Sequence, residues 1–79
     1  MGLIFYTTSH CHLCELAERV MMTTPLPTAV EVEAVDIAES AALIERYGER
    51  IPVLQRSDSG AELDWPFDAT SLQQFLTTV

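Results

Sequence analysis

Lysine is absent from this sequence. The four basic residues are all arginines, set against twelve acidic residues, and the formal net charge is −8. Nucleic acids and anionic membrane surfaces bind proteins through clusters of cationic side chains. The charge therefore disfavours both kinds of partner, and we expect the protein to bind no nucleic acid and no membrane. The acidic residues are scattered along the chain, a pattern typical of a solvated surface.

Cysteine and long apolar runs are scarce as well. The chain has two cysteines, Cys11 and Cys14, in one short motif, which is too few for a secreted domain held together by disulfides. No segment approaches the ~20 apolar residues that cross a bilayer, and the first residues lack the basic region and apolar run of a secretion signal. We therefore expect a cytoplasmic protein, in which a close cysteine pair is more often catalytic or metal-binding than structural.

The residues that are present fit one small α/β domain spanning residues 1–79. Hydrophobic residues make up 48% of the chain, enough for a compact core and too many for a disordered segment. Strands are predicted at residues 3–7, 30–35, 51–55 and 61–67 from apolar runs and from alternation of apolar with polar residues. Apolar residues at helical spacing predict three helices. Their inward faces are Leu13, Leu16, Ala17, Val20 and Met21 in the first, Leu43, Ile44 and Tyr47 in the second, with Gly48 at its end, and Leu72, Phe75, Leu76 and Val79 in the third.

Local signals predict where the second and third helices begin. Asp36 with Glu39 resembles a capping box that opens the second helix, and either Asp68 or the Thr70-x-x-Gln73 pair opens the third. The order β-α-β-α-β-β-α makes a parallel crossover unit followed by a hairpin and a helix. Three helices packed on a four-stranded mixed sheet would bury every apolar stripe in the chain.

The C-H-L-C motif lies between a predicted buried strand and the first turn of a helix. A helix start offers unpaired N–H groups and the positive end of the helix dipole, and both favour a thiolate at Cys11. Cys14 lies one turn later, near enough to close a disulfide but more shielded. The motif therefore predicts that Cys11 attacks a substrate disulfide and that Cys14 resolves the mixed disulfide. The plainer alternative is a pair of inert, buried cysteines.

Charged neighbours of the cysteines act in opposite directions. A protonated His10 or His12 would favour the thiolate, whereas Glu15 and Glu18 would oppose it, and simple solvent exposure is the alternative role for each histidine. The histidines and cysteines are also candidate metal ligands. Because successive side chains on a helical turn diverge and the sequence has no second ligand pair, we expect no metal site within one chain. An iron–sulfur cluster bridging two chains would need only two thiolates from each.

Three stretches of the chain are distinctive: L-I-F-Y-T-T-S-H-C-H-L-C-E, R-Y-G-E-R-I-P-V-L and G-A-E-L-D-W-P-F-D. In these stretches the chain resembles the glutaredoxin branch of the thioredoxin superfamily, and most closely the short glutaredoxin-like proteins of bacteria. The resemblance implies a thioredoxin fold, with Cys11 as nucleophile, Cys14 as resolving cysteine and Pro52 as the cis-proline that faces them. A cis bond there would leave the backbone of Ile51 free to pair with an extended substrate segment. A trans proline that opens a strand is the alternative.

The chain departs from typical glutaredoxins in the regions that bind glutathione. No basic residue shortly precedes Cys11, and Trp65-Pro66-Phe67 stands where the family carries a Gly-Gly pair. Pro66 has no N–H to donate, and Arg50 is the cation nearest in sequence to Pro52. We therefore expect glutathione to bind weakly and no cofactor to be bound. Trp65 either continues a core face or contacts a protein partner.

Together these features predict a monomeric thiol–disulfide oxidoreductase, with Ile51, Pro52 and Trp65 as substrate contacts. Its substrate would be a disulfide on another protein or a small-molecule disulfide. An alternative function is a module that binds or transfers an iron–sulfur cluster or a metal ion through the same cysteines. A third is a thioredoxin-fold adaptor without turnover, which the lack of basic residues near Cys11 would allow.

Overall fold

The computed structural model describes residues 2–26 and 30–77 of the chain. Its elements are β1 (Gly2–Thr7), α1 (His12–Thr23), β2 (Glu31–Asp36), a 3-10 helix (Ile37–Glu39), α2 (Ala41–Tyr47), β3 (Val53–Arg56), β4 (Glu62–Asp64) and α3 (Ala69–Thr77). The predicted order of strands and helices is confirmed, with the short 3-10 helix as an addition. Val79, predicted for the buried stripe of the last helix, lies outside the described residues.

The four strands form one mixed sheet in the order β2-β1-β3-β4. β1 pairs in parallel with β2, from Gly2 opposite Glu31 to Thr7 opposite Asp36, and α1 makes the crossover between them. β3 runs antiparallel to β1, and β4 runs antiparallel to β3. β1 is central and packs into a cluster on each face, which explains why its sequence is apolar at successive positions. Within the described residues, no helix is long and apolar enough to cross a membrane.

Two hydrophobic clusters cover opposite faces of the sheet, because successive side chains of a strand point to opposite sides. The first, which we call the cysteine face, contains Leu3, Phe5 and Leu54 from the sheet, Cys14 and Ala17 from α1, Leu72 and Leu76 from α3, and Phe67. The second, which we call the tyrosine face, contains Tyr6 and Val53 from the sheet, Ile37 from the 3-10 helix and Tyr47 from α2. The fold therefore separates α1 and α3 on one face from α2 on the other.

The second helix begins later than the sequence predicts. Asp36 accepts a hydrogen bond from the Ala38 amide (2.9 Å) and so caps the 3-10 helix. The cap of α2 is Ser40, whose hydroxyl accepts a hydrogen bond from the Leu43 amide (3.4 Å). The prediction that Asp36 and Glu39 open this helix is therefore wrong, because Ser40 supplies a second capping side chain just before it.

The other two helix-end predictions are confirmed. Gly48 is the C-cap of α2, in right-handed conformation (φ −54°). A Cβ atom there would lie 2.5 Å from the carbonyl oxygen of Ile44, so the position needs glycine for a close backbone approach. At the start of α3, the Asp68 carboxylate accepts a hydrogen bond from the Ser71 amide (2.8 Å), which lowers the pKa of Asp68.

Three sequence predictions overestimate burial or strand length. Leu13 in α1 is 45% exposed and Ile44 in α2 is 49% exposed, although the helical spacing predicts both to point inward. Cys14 and Ala17 are the buried residues of α1, so its buried face does not include Leu13. The strand predicted over residues 61–67 is shorter, and β4 ends at Asp64. Pro66 has no N–H with which to continue a ladder.

Candidate active site

The two cysteines lie at the start of α1. Cys11 is the N-cap residue, and its sulfur accepts a hydrogen bond from the backbone N–H of Cys14 (3.1 Å). The two sulfurs are joined in a disulfide, with 5.2 Å between the Cα atoms. Cys14 is buried in the cysteine face, whereas Cys11 is partly exposed. The accessible sulfur is therefore the one at the helix end, where free N–H groups and the helix dipole stabilise a thiolate.

Both histidines next to the cysteines are exposed to solvent. His10 adopts a left-handed backbone conformation (φ 57°) in the turn between β1 and α1. The His12 side chain is 80% exposed, and its Nδ1 atom lies 3.9 Å from a carboxylate oxygen of Glu15. The arrangement fits the solvent-exposed role that the sequence left open for each histidine. It also puts an acidic side chain beside one of them.

Ile51 and Trp65 pack against the same hydrophobic cluster as the cysteine pair. Both are partly buried and pack against the cluster that contains Cys14, and Cys11 packs against the same cluster. The ring of Pro52 is fully buried, so Ile51 carries the accessible surface of this segment. Residues from α1, from the segment before β3 and from the segment after β4 thus share one hydrophobic cluster.

The peptide bonds Ile51–Pro52 and Trp65–Pro66 are both cis. The sequence patterns do not predict the second, since they mark Pro66 only as a residue without an N–H. The Trp65 ring packs edge-to-face against Phe67, with 5.0 Å between ring centroids. Trp65 therefore joins the core through one side of its ring and still leaves part of its surface accessible. The two roles considered for this residue are compatible.

Arg50, the cation nearest in sequence to Pro52, is engaged within the chain. Its Nη2 donates to Glu62 Oε1 (2.8 Å) and to Asp64 Oδ1 (2.7 Å), and these carboxylates raise its pKa, Asp64 most strongly. Sequence reasoning missed this network because the partners lie 12 and 14 residues away and meet only through strand pairing. The one feature of the sequence that pointed to a role for Arg50 was its position directly before Ile51-Pro52.

Metal ligands are few around the cysteines. Among residues 2–26 and 30–77, no three or more histidine, cysteine or carboxylate side chains are grouped closely enough to hold a metal ion. Two thiolates alone fill half of a tetrahedral site. A metal or cluster held by Cys11 and Cys14 would therefore need ligands from a second chain.

Two solved structures resemble this chain over nearly its whole length. The X-ray structure of Northeast Structural Genomics target protein XcR50 from X. campestris is 40% identical in sequence, with a TM-score of 0.81, and the match covers 94% of this chain and 93% of that one. The solution structure of target protein XcR50 from X. campestris gives 39% identity and a TM-score of 0.74, covering 96% and 92%. No curated protein matches the chain.

A family match agrees with the fold and with the cysteine pair. Residues 2–77 match the family described as the Glutaredoxin-like domain (DUF836). The helices and mixed sheet have the thioredoxin-like arrangement, and Cys11 and Cys14 have the C-x-x-C spacing that allows a disulfide. This chain belongs to the glutaredoxin-like domain family.

Proposed function

We propose that the protein is a thiol–disulfide oxidoreductase whose reduced Cys11 and Cys14 reduce a disulfide on another protein and so form the Cys11–Cys14 disulfide. The observation that carries the proposal is the unequal exposure of two cysteines at one helix start. Cys11 is partly exposed and caps the helix, while Cys14 is 2% exposed. A nucleophile must reach its substrate, whereas a resolving thiol needs to reach only the first sulfur.

The proposed reaction proceeds through two successive thiol–disulfide exchanges. In the reduced protein, the Cys11 thiolate attacks one sulfur of the substrate disulfide, that S–S bond breaks, and the departing thiolate takes up a proton. The Cys14 thiol then loses its proton and attacks the Cys11 sulfur, which releases the second substrate thiol and closes the Cys11–Cys14 disulfide. The substrate gains two electrons and two protons, and a dithiol reductant restores the protein.

The surroundings of Cys11 favour an apolar peptide segment as the substrate. Ile51 and Trp65 are partly exposed apolar residues that pack against the same cluster as Cys11. Glutathione, in contrast, carries two carboxylates and needs cations or free backbone donors. Arg50 is already paired with Asp64 and Glu62, and Pro66 has no N–H. We further propose that the protein acts as a monomer in the cytoplasm without a bound cofactor.

Trapping tests the assignment of the two cysteines. In Cys14→Ser, the mixed disulfide on Cys11 cannot be resolved, so we expect a protein partner to stay covalently attached and to be released by dithiothreitol. Cys11→Ser is the matched control and should trap nothing. Equal trapping by both variants would contradict the roles proposed here.

A comparison of reductants tests the substrate class. With a peptide disulfide as substrate, we expect recycling by millimolar glutathione to be at least ~10-fold slower than recycling by a thioredoxin system, since a loss of ~1.4 kcal/mol in binding gives that factor. Robust turnover with glutathione would contradict the argument from Arg50 and Pro66. A brown protein after anaerobic purification would support the iron–sulfur alternative instead.

A further inference from the structure

One ion pair joins the two segments that carry Ile51 and Trp65, which both pack against the cluster containing Cys14. Arg50 directly precedes Ile51, and Asp64 directly precedes Trp65. We propose that Arg50 and Asp64 are positioning residues, which fix the spacing of Ile51 and Trp65 so that an extended substrate segment can bind across Cys11. This inference rests on the function proposed above. It gives a role to Arg50 and Asp64, which are neither the reacting cysteines nor the proposed apolar contacts with the substrate.

The contact between Arg50 and Asp64 is made at two points. Arg50 Nη2 donates to Asp64 Oδ1 (2.7 Å), and Arg50 Nε donates to Asp64 Oδ2 (3.3 Å). A planar guanidinium that holds both oxygens of a carboxylate fixes orientation as well as distance. The pair, which we call the clamp, therefore restrains both residues more tightly than a single surface contact would.

The arginine side of the clamp is anchored by α2. The backbone N–H groups of Arg50 and Ile51 both donate to the carbonyl oxygen of Tyr47, at 2.8 Å and 3.0 Å, so the Ile51 N–H is not free to pair with a substrate, contrary to the expectation from the sequence. The Arg50 guanidinium lies over the Tyr47 ring, 5.3 Å from its centroid. Since Tyr47 is 1% exposed, α2 provides a fixed point from which Arg50 reaches β4.

The carboxylate side is anchored by β4. Asp64 pairs with Val53 of β3 in the sheet, so both side chains point to the tyrosine face. Glu62, two residues earlier on the same side, accepts a hydrogen bond from the Tyr47 hydroxyl (2.6 Å) and one from Arg50 (2.8 Å). These bonds hold β4 against α2, and Asp64 is the last residue of that strand.

The clamp lies on the opposite face of the sheet from the disulfide. Arg50 and Asp64 are on the tyrosine face, whereas Trp65 packs against the cysteine face and Ile51 contacts both clusters. The clamp can therefore influence the site only through the two residues that follow its members. Its loss should weaken the binding of a substrate that spans Ile51 and Trp65 and should leave the reactivity of the Cys11 sulfur unchanged.

The test compares two substrates in two variants. For Arg50→Gln and Asp64→Asn, we expect KM for a peptide disulfide to rise ~10-fold, which corresponds to ~1.4 kcal/mol. The rate with bis(2-hydroxyethyl) disulfide, which has no peptide segment, should stay within about twofold of wild type, because the clamp does not touch the sulfurs. Arg50→Lys should recover only part of the loss, because an ammonium group cannot bond to both carboxylate oxygens in the same plane.

Arg46→Gln is the matched control. Arg46 lies over the same Tyr47 ring (5.4 Å) and 3.9 Å from the same Glu62, but it does not adjoin Ile51. The control loses the same charge and should keep the wild-type KM. An equal rise in KM for Arg46→Gln, or an equal loss of rate with both substrates in Arg50→Gln, would overturn the proposal.

A fluorescence measurement tests the clamp without turnover. Trp65 is the only tryptophan in the chain, so its emission reports this segment alone. In folded Arg50→Gln and Asp64→Asn, we expect acrylamide quenching of Trp65 to increase about twofold, with no change in Arg46→Gln, because local opening exposes the ring. Unchanged quenching in all variants would overturn the proposal even if the enzyme is active. If quenching increases in these variants but the wild-type protein catalyses no exchange, the proposed function is overturned, while the structural role of the clamp is supported.

Discussion

The two faces of the sheet are built by different interactions. On the cysteine face, the disulfide lies on an apolar cluster of leucine and phenylalanine side chains beneath α1 and α3. On the tyrosine face, the Tyr6 and Tyr47 rings stack at 4.1 Å, and hydrogen bonds lead from them to Gln55 and Glu62. Apolar contacts therefore surround the reactive sulfurs, while hydrogen bonds on the opposite face of the sheet hold the strands in place.

This difference shows how a small domain can place the ion pairs of its arginines away from a reactive site. Three of the four arginines form ion pairs with carboxylates at the tyrosine face or in the turn after β3. Directional bonds restrain strand positions through geometry, whereas apolar contacts stabilise mainly through the area they bury. Because the hydrogen bonds and ion pairs of the tyrosine face restrain the strands, the cysteine face can present apolar surface to a substrate.

The largest expected effect concerns the cysteines and tests whether the chemistry lies on the cysteine face as described. After reduction at neutral pH, limiting iodoacetamide should label Cys11 and leave Cys14 nearly unlabelled, because only Cys11 combines exposure with a position at the helix end. Peptide mapping by mass spectrometry measures the ratio. Preferential labelling of Cys14 would reverse the assigned roles.

A core substitution tests the apolar character of the same face. Leu72 is 0% exposed within this cluster, so Leu72→Ala should lower the free energy of unfolding by about 2–5 kcal/mol through lost burial and a cavity. Urea unfolding measures the loss. We expect it to be the same under mildly acidic and neutral conditions, and a strong pH dependence would show that ionised groups contribute to this face.

A matched change on the tyrosine face should behave differently. Tyr47→Phe removes the hydroxyl that donates to Glu62 and should cost about 2 kcal/mol at neutral pH, as for a hydrogen bond to a charged group. This bond is the main reason why the pKa of Glu62 lies below its ordinary 4.5. A lowered pKa stabilises the fold above the ordinary value and loses that contribution as the pH falls through the folded value.

The difference in free energy of unfolding between wild type and Tyr47→Phe should therefore narrow as the pH falls from above 4.5, the ordinary pKa of Glu62, through the lower pKa that this group has in the folded protein. Urea unfolding at several pH values measures it, and Glu62→Gln in both backgrounds is the control. Once the Glu62→Gln substitution has removed the ionisable group, the narrowing should disappear. If the difference in free energy of unfolding stays constant over these pH values, the stabilisation by the Tyr47 hydroxyl does not depend on the ionisation of Glu62.

The smallest effect is expected for Arg46→Gln, which removes a long ion pair of the tyrosine face. The Arg46 side chain is 64% exposed and its nearest contact with Glu62 is 3.9 Å long. Such a pair should contribute less than ~0.5 kcal/mol, and less still in high salt. A thermal shift of several degrees in this variant would mean that the network is more cooperative than its distances indicate.

Most of the fold could be predicted from local sequence patterns, because strand alternation, helical spacing and capping residues act over a few positions. The errors also have local causes. Ser40 and Asp36 are both good caps, and the sequence does not tell which one opens the longer helix. Leu13 and Ile44 show that helical spacing marks a stripe but not how wide a part of it the neighbouring elements cover.

The candidate site was predictable only where its residues are close in the sequence. Cys11 and Cys14 share one turn, so their spacing, together with the strand before them and the helix after them, predicts a redox disulfide. The pairing of Arg50 with Asp64 depends on the register of β3 with β4 and on the position of α2. Neither follows from composition or periodicity, because both are decided by packing over the whole domain.

The N-cap of α1 links the stability of the fold to the oxidation state of the chain. The capping atom is the Cys11 sulfur, which accepts the Cys14 N–H and is also the atom that the proposed reaction oxidises and reduces. A thiolate is a stronger acceptor than a disulfide sulfur, and the helix dipole adds to its preference. In a thermodynamic cycle, the difference in unfolding free energy between the reduced and oxidised chains equals the difference in oxidation free energy between the folded and unfolded states. Denaturation curves of the reduced and the oxidised chain therefore measure how strongly folding favours the dithiol over the disulfide, and no electrochemical measurement is needed.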